Sequence, residues 1–221
     1  MQAIKQLYRI GYGPSSSHTI APYRIGQYYK KQYPFCDHYK IILGGSLALT
    51  AKGHGTIDII KKALDCSMVD FVFDKEDPHN DMIIQGFLQE KEFEVWHGLS
   101  LGGGAIRIQE YDAGDDKEVY EASDFNGIKQ YLEEYKIDLL TYVYSHEPDL
   151  KEYLADCLIA MFDCVDRGLH TEGLLNEALN YYRIAGKLYS KAKDKKDFLV
   201  AYSYAACEEN AAGGGAFKAA D

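Results

Sequence analysis

The chain has 221 residues, 47% apolar and 26% charged, with a formal net charge of −10. That balance supports a globular core and argues against a nucleic-acid or anionic membrane surface, since both need clustered Lys and Arg. No apolar run reaches the ~18 residues of a membrane span, and Met1-Gln-Ala-Ile-Lys-Gln6 lacks a signal-peptide pattern. A soluble, cytoplasmic protein is expected, with neither nucleic acid nor membrane as partner.

In chain order, Ile10 to Thr19 reads as a polar loop leading into a helix from about Ile20. Tyr39 to Leu43 is a strand, and Ser46 to Thr50 a short helix with Ser46 able to cap it. Thr56 to Leu64 carries apolar residues at helical spacing. Strands follow at Phe71 to Phe73, Met82 to Leu88, Phe93 to Trp96 and Ala105 to Gln109, the last alternating with the period of two of a half-covered sheet. From about Asp124 the pattern turns helical: Phe125 to Tyr135, Leu139 to Tyr144, Leu150 to Val165, Leu174 to Leu188 and Phe198 to Asn210, with Gly168 and Gly173 at joints. Lys191 to Asp197 mixes charges of both signs and reads as a solvated linker. The fold class expected is α+β, a mixed, largely antiparallel sheet with helices on one face, followed by a helical C-terminal extension.

Five cysteines, Cys36, Cys66, Cys157, Cys164 and Cys207, include no CxxC pair. An odd count without a secretory signal does not describe a disulfide framework. Cys157 and Cys164 fall on one helix face and read as core thiols, because metal and cluster sites show closer spacing. No metal ligands are assigned in this chain.

Four segments carry residues suited to chemistry. Ile10-Gly-Tyr-Gly-Pro-Ser-Ser-Ser-His-Thr19 places Ser15, Ser16, Ser17, His18 and Thr19 at or before a helix start, where free N–H groups and hydroxyls suit a carboxylate or phosphate. A capped helix needs only one of these hydroxyls. His54 lies between two glycines in Lys52-Gly-His-Gly-Thr-Ile-Asp58, accessible and suited to proton transfer, with Asp58 able to orient it or to favour a helix start. Asp77-Pro-His-Asn-Asp-Met82 is the third segment. Ser100-Leu-Gly-Gly-Gly104 is the fourth, open to a small anion or simply a hairpin turn. It lacks the lysine of a nucleotide loop.

Gly13-Pro-Ser-Ser-Ser-His-Thr19, Gly45-Ser-Leu-Ala-Leu-Thr-Ala-Lys-Gly-His54 and Ser100-Leu-Gly-Gly-Gly104, in that order, resemble the beta module of the iron–sulfur-dependent L-serine dehydratases. Arg167-Gly-Leu-His-Thr-Glu-Gly173 is similar to the connector of the single-chain enzymes, and Glu208-Glu-Asn-Ala-Ala-Gly-Gly214 to the opening helix of their alpha, cluster-binding module. Pro78-His79-Asn80 departs from the family's His-Pro-Asn order, which leaves Asn80 as the matching position. Residues 125–210 lack the βαββαβ pattern of the ACT domain that ends free-standing beta subunits.

The resemblance implies a beta-type domain over 1–145, like the allosteric substrate-binding domain of some phosphoglycerate dehydrogenases. It also implies a helical connector over 146–193 and the start of the alpha module over 194–221, truncated before the cluster-binding cysteines. It implies deamination of L-serine to pyruvate and ammonium, in amino-acid catabolism and gluconeogenesis. A 4Fe–4S cluster would act in the full-length enzyme, with none expected in this chain, which alone would be inactive. His54, His18 and Asp58 are the implied catalytic residues. Ser15, Ser16, Ser17, Thr19, Asn80, Ser100, Gly102, Gly103 and Gly104 are the implied substrate-binding set. The partners implied are L-serine, the chain's own alpha module and further copies in a homo-oligomer. A serine- or small-acid-binding sensor without catalysis is the alternative, and a purely structural domain a third.

Overall fold

The computed structural model describes residues 1–114, 117–176, 180–213 and 215–219. The chain opens with α1 (Ile4–Leu7), β1 (Tyr8–Tyr12), a π-helical turn (Ser16–Ile20) and α2 (Ala21–Gln32). Then come β2 (His38–Gly44), α3 (Gly45–Thr50), α4 (Thr56–Leu64), β3 (Val69–Asp74), β4 (Asp81–Leu88), β5 (Lys91–Glu92), β6 (Trp96–Gly102) and β7 (Ala105–Ile108). The sheet runs β3-β2-β4-β6-β7, with β5 added to β4. Only β2 and β3 pair in parallel; the other pairs in this sheet are antiparallel, so the α+β expectation holds.

Alternation in β2 and β4 decides which face is covered. Tyr39, Ile41 and Leu43 stand opposite Gly86, Ile84 and Met82 in register. All six are buried. Against them pack Ile25 and Tyr29 of α2, Leu47 of α3, Ile60 and Leu64 of α4, and Trp96 of β6, all essentially without exposure. Each large apolar side chain so buried contributes about 1.5–3 kcal/mol, which fixes the platform from which the α3 and α4 termini project.

The second half is helical: α5 (Phe125–Tyr135), α6 (Leu139–His146), α7 (Leu150–His170), α8 (Ala185–Lys191) and α9 (Lys195–Ala211). Asp124, Asp138 and Asp194 cap α5, α6 and α9 by accepting first-turn N–H groups. Buried Glu147 accepts hydrogen bonds from the backbone of Ile4 and Lys5 and from the Tyr120 hydroxyl, tying α1 to the end of α6. At the far end, β10 (Gly215–Ala219) pairs antiparallel with β1, Tyr8 opposite Ala219 and Tyr12 opposite Gly215. The two ends of the chain thereby form one ribbon.

Several expectations are corrected. Ser46 lies inside α3, whose N-cap is Gly44, and makes no cap bond. The strand expected at Phe93 to Trp96 begins only at Trp96; residues 93–95 are irregular, with Phe93 N–H bonding Gly86 O of β4. Gly168 is not a joint. It sits within α7, which runs on to His170, and its missing Cβ admits α9, since a Cβ there would fall 2.3 Å from Ala205 O. The helix expected over Leu174 to Leu188 is a short hairpin, β8 (Leu174–Asn176) with β9 (Tyr181–Tyr182), followed by α8; residues 177–179 of that expectation lie outside the described residues. The linker expected over Lys191 to Asp197 is three residues long, between α8 and α9.

Candidate functional site

The π-helical turn sets the geometry of the serine-rich segment. The N–H groups of His18 and Thr19 both bond Ser15 O, at 3.1 and 2.7 Å. Two of the amides expected to be free at this helix start are therefore used within the turn. The Thr19 hydroxyl donates to Tyr12 O and Ser15 O, and the residue is 1% exposed. Thr19 closes the loop from within. Ser16 is also buried, and its carbonyl accepts from Ala21 N–H to start α2.

The remaining hydroxyls converge on His18. Its Nδ1 lies 3.1 Å from Ser15 Oγ and 2.9 Å from Ser17 Oγ, and its Nε2 lies 3.1 Å from Ser46 Oγ. Ser46 in turn meets Asn80 Oδ1 through its backbone N–H at 3.0 Å and its hydroxyl at 2.5 Å. A backbone N–H can only donate, so the Asn80 atom it meets is the carbonyl oxygen, and the Ser46 hydroxyl must donate to it as well. That leaves a lone pair on Ser46 Oγ to accept Nε2–H of His18, and makes Nδ1 the acceptor for the serine hydroxyls. In its neutral form His18 therefore carries the ring proton on Nε2. Burial, then the neighbouring His54, hold its pKa below the ordinary 6.5, while its bond to Ser46 pulls the other way.

Asn80 reaches Ser46 because the loop at Asp77 to Asn80 lies tight on two glycines. A Cβ on Gly45, where φ is +52°, would come 2.3 Å from His79 O, and one on Gly44 2.5 Å from Asp77 Oδ2. His79 contributes only backbone here, its N–H bonding Asp77 Oδ1.

His54 follows α3 with its N–H on Thr50 O. Its ring meets that of His18 edge to face. Its Nδ1 is buried and has no hydrogen-bond partner, so of the two imidazoles it is the one with an uncommitted nitrogen. His54 lines a cleft of about 340 Å³ together with Tyr12, Lys52, Asp58, Lys62 and the chain from Ala211 to Gly213. Lys62 Nζ stands 4.0 Å above the Tyr12 ring, a cation–π contact that holds the ammonium at the rim. With Lys52 and Lys62 for a carboxylate and Asp58 for an ammonium, the cleft suits a small zwitterion with an imidazole beside it.

The other expected residues lie elsewhere. Ser100 donates to Ser17 O at 3.1 Å, bracing the loop from β6 rather than facing the cleft. Gly102, Gly103 and Gly104 are not among the described residues lining it. They form the β6–β7 turn at φ of +96°, +54° and +82°, and Arg9 and Arg24 donate to the carbonyls of Gly103 and Gly104. Sequence reasoning missed Lys52 and Lys62, whose signal was their nearness to His54 and Asp58, and the Ala211 to Gly213 wall, which has no local signal.

The described residues do not fit an iron–sulfur cluster. No group of three or more His, Cys, Asp or Glu among them is placed to hold a metal ion. The cysteines are distributed over separate elements, Cys36 in the sheet core and Cys157 and Cys164 on α7, with burial raising the thiol pKa of all three. No helix among the described residues is long and apolar enough to cross a membrane.

Residues 3–76 match the family described as serine dehydratase beta chain. Over 97% of its length the chain is 26% identical to L-serine dehydratase 1 of Escherichia coli, covering 62% of that protein. The L-serine dehydratase of Helicobacter pylori is 26% identical over 96% of the chain and 61% of its own length. That of Streptomyces coelicolor is 24% identical over 96% and 61%. The chain therefore spans about 62% of the length of such relatives. These alignments run to 280, 284 and 278 positions against 221 residues, so the relatives carry internal segments that this chain lacks.

Proposed function

We propose a function from one premise: the chain is a homologue of the L-serine dehydratases, with a serine dehydratase beta-chain segment at residues 3–76. The reading is that it takes part in the deamination of L-serine to pyruvate and ammonium. It supplies the proton-handling imidazole and part of the substrate cleft. The observation that carries this is the His18–His54 pair, one imidazole fully bonded and the other with a buried, uncommitted Nδ1 at a cleft of zwitterionic lining.

Serine dehydration removes a weakly acidic Cα proton and a poor leaving group. In this reading the His54 imidazole takes the Cα proton at the cleft, with Asp58 alongside. His18, bonded on both ring nitrogens, fixes the position of the His54 ring. Lys52 and Lys62 receive the substrate carboxylate, and Asp58 the ammonium. The 4Fe–4S cluster implied by the family resemblance would be held by residues other than those described here, since these do not fit it. Alone, the chain is expected to bind L-serine without turning it over.

The test is titration of L-serine into the chain, followed by His54 imidazole resonances, beside anaerobic iron–sulfur reconstitution and a pyruvate assay of the chain alone and of the chain combined with a cluster-binding alpha module. Saturable movement of the His54 signals, with pyruvate released only in the combined sample, supports the reading. Binding without turnover in either sample moves the conclusion to a sensor of serine. Absence of both would discard the cleft as a serine site.

A further inference from the structure

The last turn of α9 joins three separate segments through three consecutive side chains. Buried Glu208 accepts the N–H groups of Ile184 and Ala185 and so caps α8. Glu209 pairs with Arg167 of α7 at 3.0 Å and with Arg183 at 2.8 Å. Asn210 reaches the opposite end of the chain: its Nδ2 donates to Pro14 O at 3.3 Å, 196 residues away in sequence. A carbonyl can only accept, so the amide orientation is fixed, and Asn210 Oδ1 is left buried without a partner. Such an atom is costly to keep.

The contact is close enough to depend on glycine. A Cβ on Gly13 would stand 1.9 Å from Asn210 O and 2.5 Å from Asn210 Oδ1. The loop that begins at Gly13 carries Ser15, Ser17 and His18, and the residues just after Asn210 form one wall of the cleft that holds His54. Local sequence cannot bring these together. The β1–β10 ribbon and α9 do.

We infer that Asn210 is a positioning residue: through its amide on the Pro14 carbonyl it seats the end of α9 against the Gly13–Pro14 turn. The cleft is thereby a composite of both ends of the chain, complete only when they are docked. The inference deepens the proposed function and rests on it only where serine is concerned, because the state of the His18 loop can be read without any substrate.

The test uses the whole chain and the variants Asn210→Ala, Gly13→Ala and Glu208→Gln, read by imidazole titration of His18 and by amide exchange over residues 13–19. Losing one hydrogen bond, Asn210→Ala should speed exchange in the loop about fivefold and move the His18 titration upward as water enters. Gly13→Ala should move both in the same direction, and Asn210→Ala should not relieve it, since the nearest obstacle is backbone. Glu208→Gln weakens the α8 cap in the same turn and should lower overall stability while leaving the His18 loop unchanged. An unchanged loop in Asn210→Ala would overturn the inference, as would equal movement in Glu208→Gln, which would mean general loosening. Weaker L-serine binding in Asn210→Ala supports it. If the unsubstituted chain binds no serine, the proposed function fails while the His18 readout still decides this point.

Discussion

The rings of His18 and His54 meet edge to face, with centroids 4.7 Å apart and planes at 76°. Two histidines this close cannot both be charged cheaply, and the hydrogen bonds decide which one yields. His18 is committed at both nitrogens to serines, one of which is anchored on Asn80. His54 keeps Nδ1 uncommitted.

That division of labour predicts unequal losses. In the chain combined with a cluster-binding alpha module, His54→Gln should lower pyruvate release by about 10²–10⁴-fold, the usual contribution of a positioned acid or base, with little change in the melting temperature of the chain itself. His54 N–H still bonds Thr50 O in that variant, so α3 is not disturbed. His18→Gln should lower turnover less and stability more, because several hydroxyls lose their partner. Steady-state assays beside thermal melts check this. Equal kinetic losses without a stability difference would reject the assignment.

The lowered His18 pKa gives a pH dependence with a definite sign. In the folded chain the group titrates below its ordinary 6.5. Between the two values the unfolded chain binds a proton that the folded chain refuses, so stability rises with pH in that window. The contribution is complete above about pH 7.5 and is lost as pH falls through 6.5 toward the lowered value. Urea unfolding from pH 5 to 8 should show this slope, and His18→Asn should flatten it. An identical slope in the variant would place the titration in another group.

Much of this was legible in local pattern. The strand at Tyr39 to Leu43 and the helix at Thr56 to Leu64 follow from alternation and helical spacing, because each element covers the same core. His54 stood out because two glycines expose it, and Ser15 to His18 because one cap does not need so many hydroxyls. Failures came where a distant contact overrode a local signal. Gly168 looked like a break, yet its missing Cβ is what lets α7 meet α9. Gly102 to Gly104 leave a small-anion site and a hairpin turn open on local pattern; they form the β6–β7 turn, whose carbonyls Arg9 and Arg24 hold from distant elements. β1 was hidden because its partner lies at the other end of the chain.

Asn80 controls the tautomer of His18 from two bonds away. Asn80→Ala removes the acceptor of both the N–H and the hydroxyl of Ser46. It should cost about 1–3 kcal/mol, the range for stranding partly buried donors, measurable as a lowered denaturation midpoint. It also frees the Ser46 hydroxyl to rotate, so His18 should show both tautomers in its ring ¹⁵N shifts. Asn80→Asp keeps both acceptors. It should retain the single tautomer and raise the His18 titration point by placing a negative charge near the ring. A single tautomer in Asn80→Ala would show that Ser46 is oriented by something else.

Gly168 offers a test in which two effects oppose each other. In an exposed helix, replacing glycine by alanine stabilises by about 1 kcal/mol. Here the added Cβ would lie 2.3 Å from Ala205 O, 2.6 Å from Ala205 C and 2.7 Å from Ala205 Cα, all backbone atoms that no rotamer change can move. Only separation of α7 from α9 relieves the overlap, and overpacking of this kind costs about 1–3 kcal/mol. The contact should win, and Gly168→Ala should melt at a lower temperature than the unsubstituted chain. Because α9 also carries Asn210, the variant should in addition loosen the loop at residues 13–19 in amide exchange. A higher melting temperature would mean that the two helices are not held at this distance in solution, and that the wall of the His54 cleft is not fixed by α9.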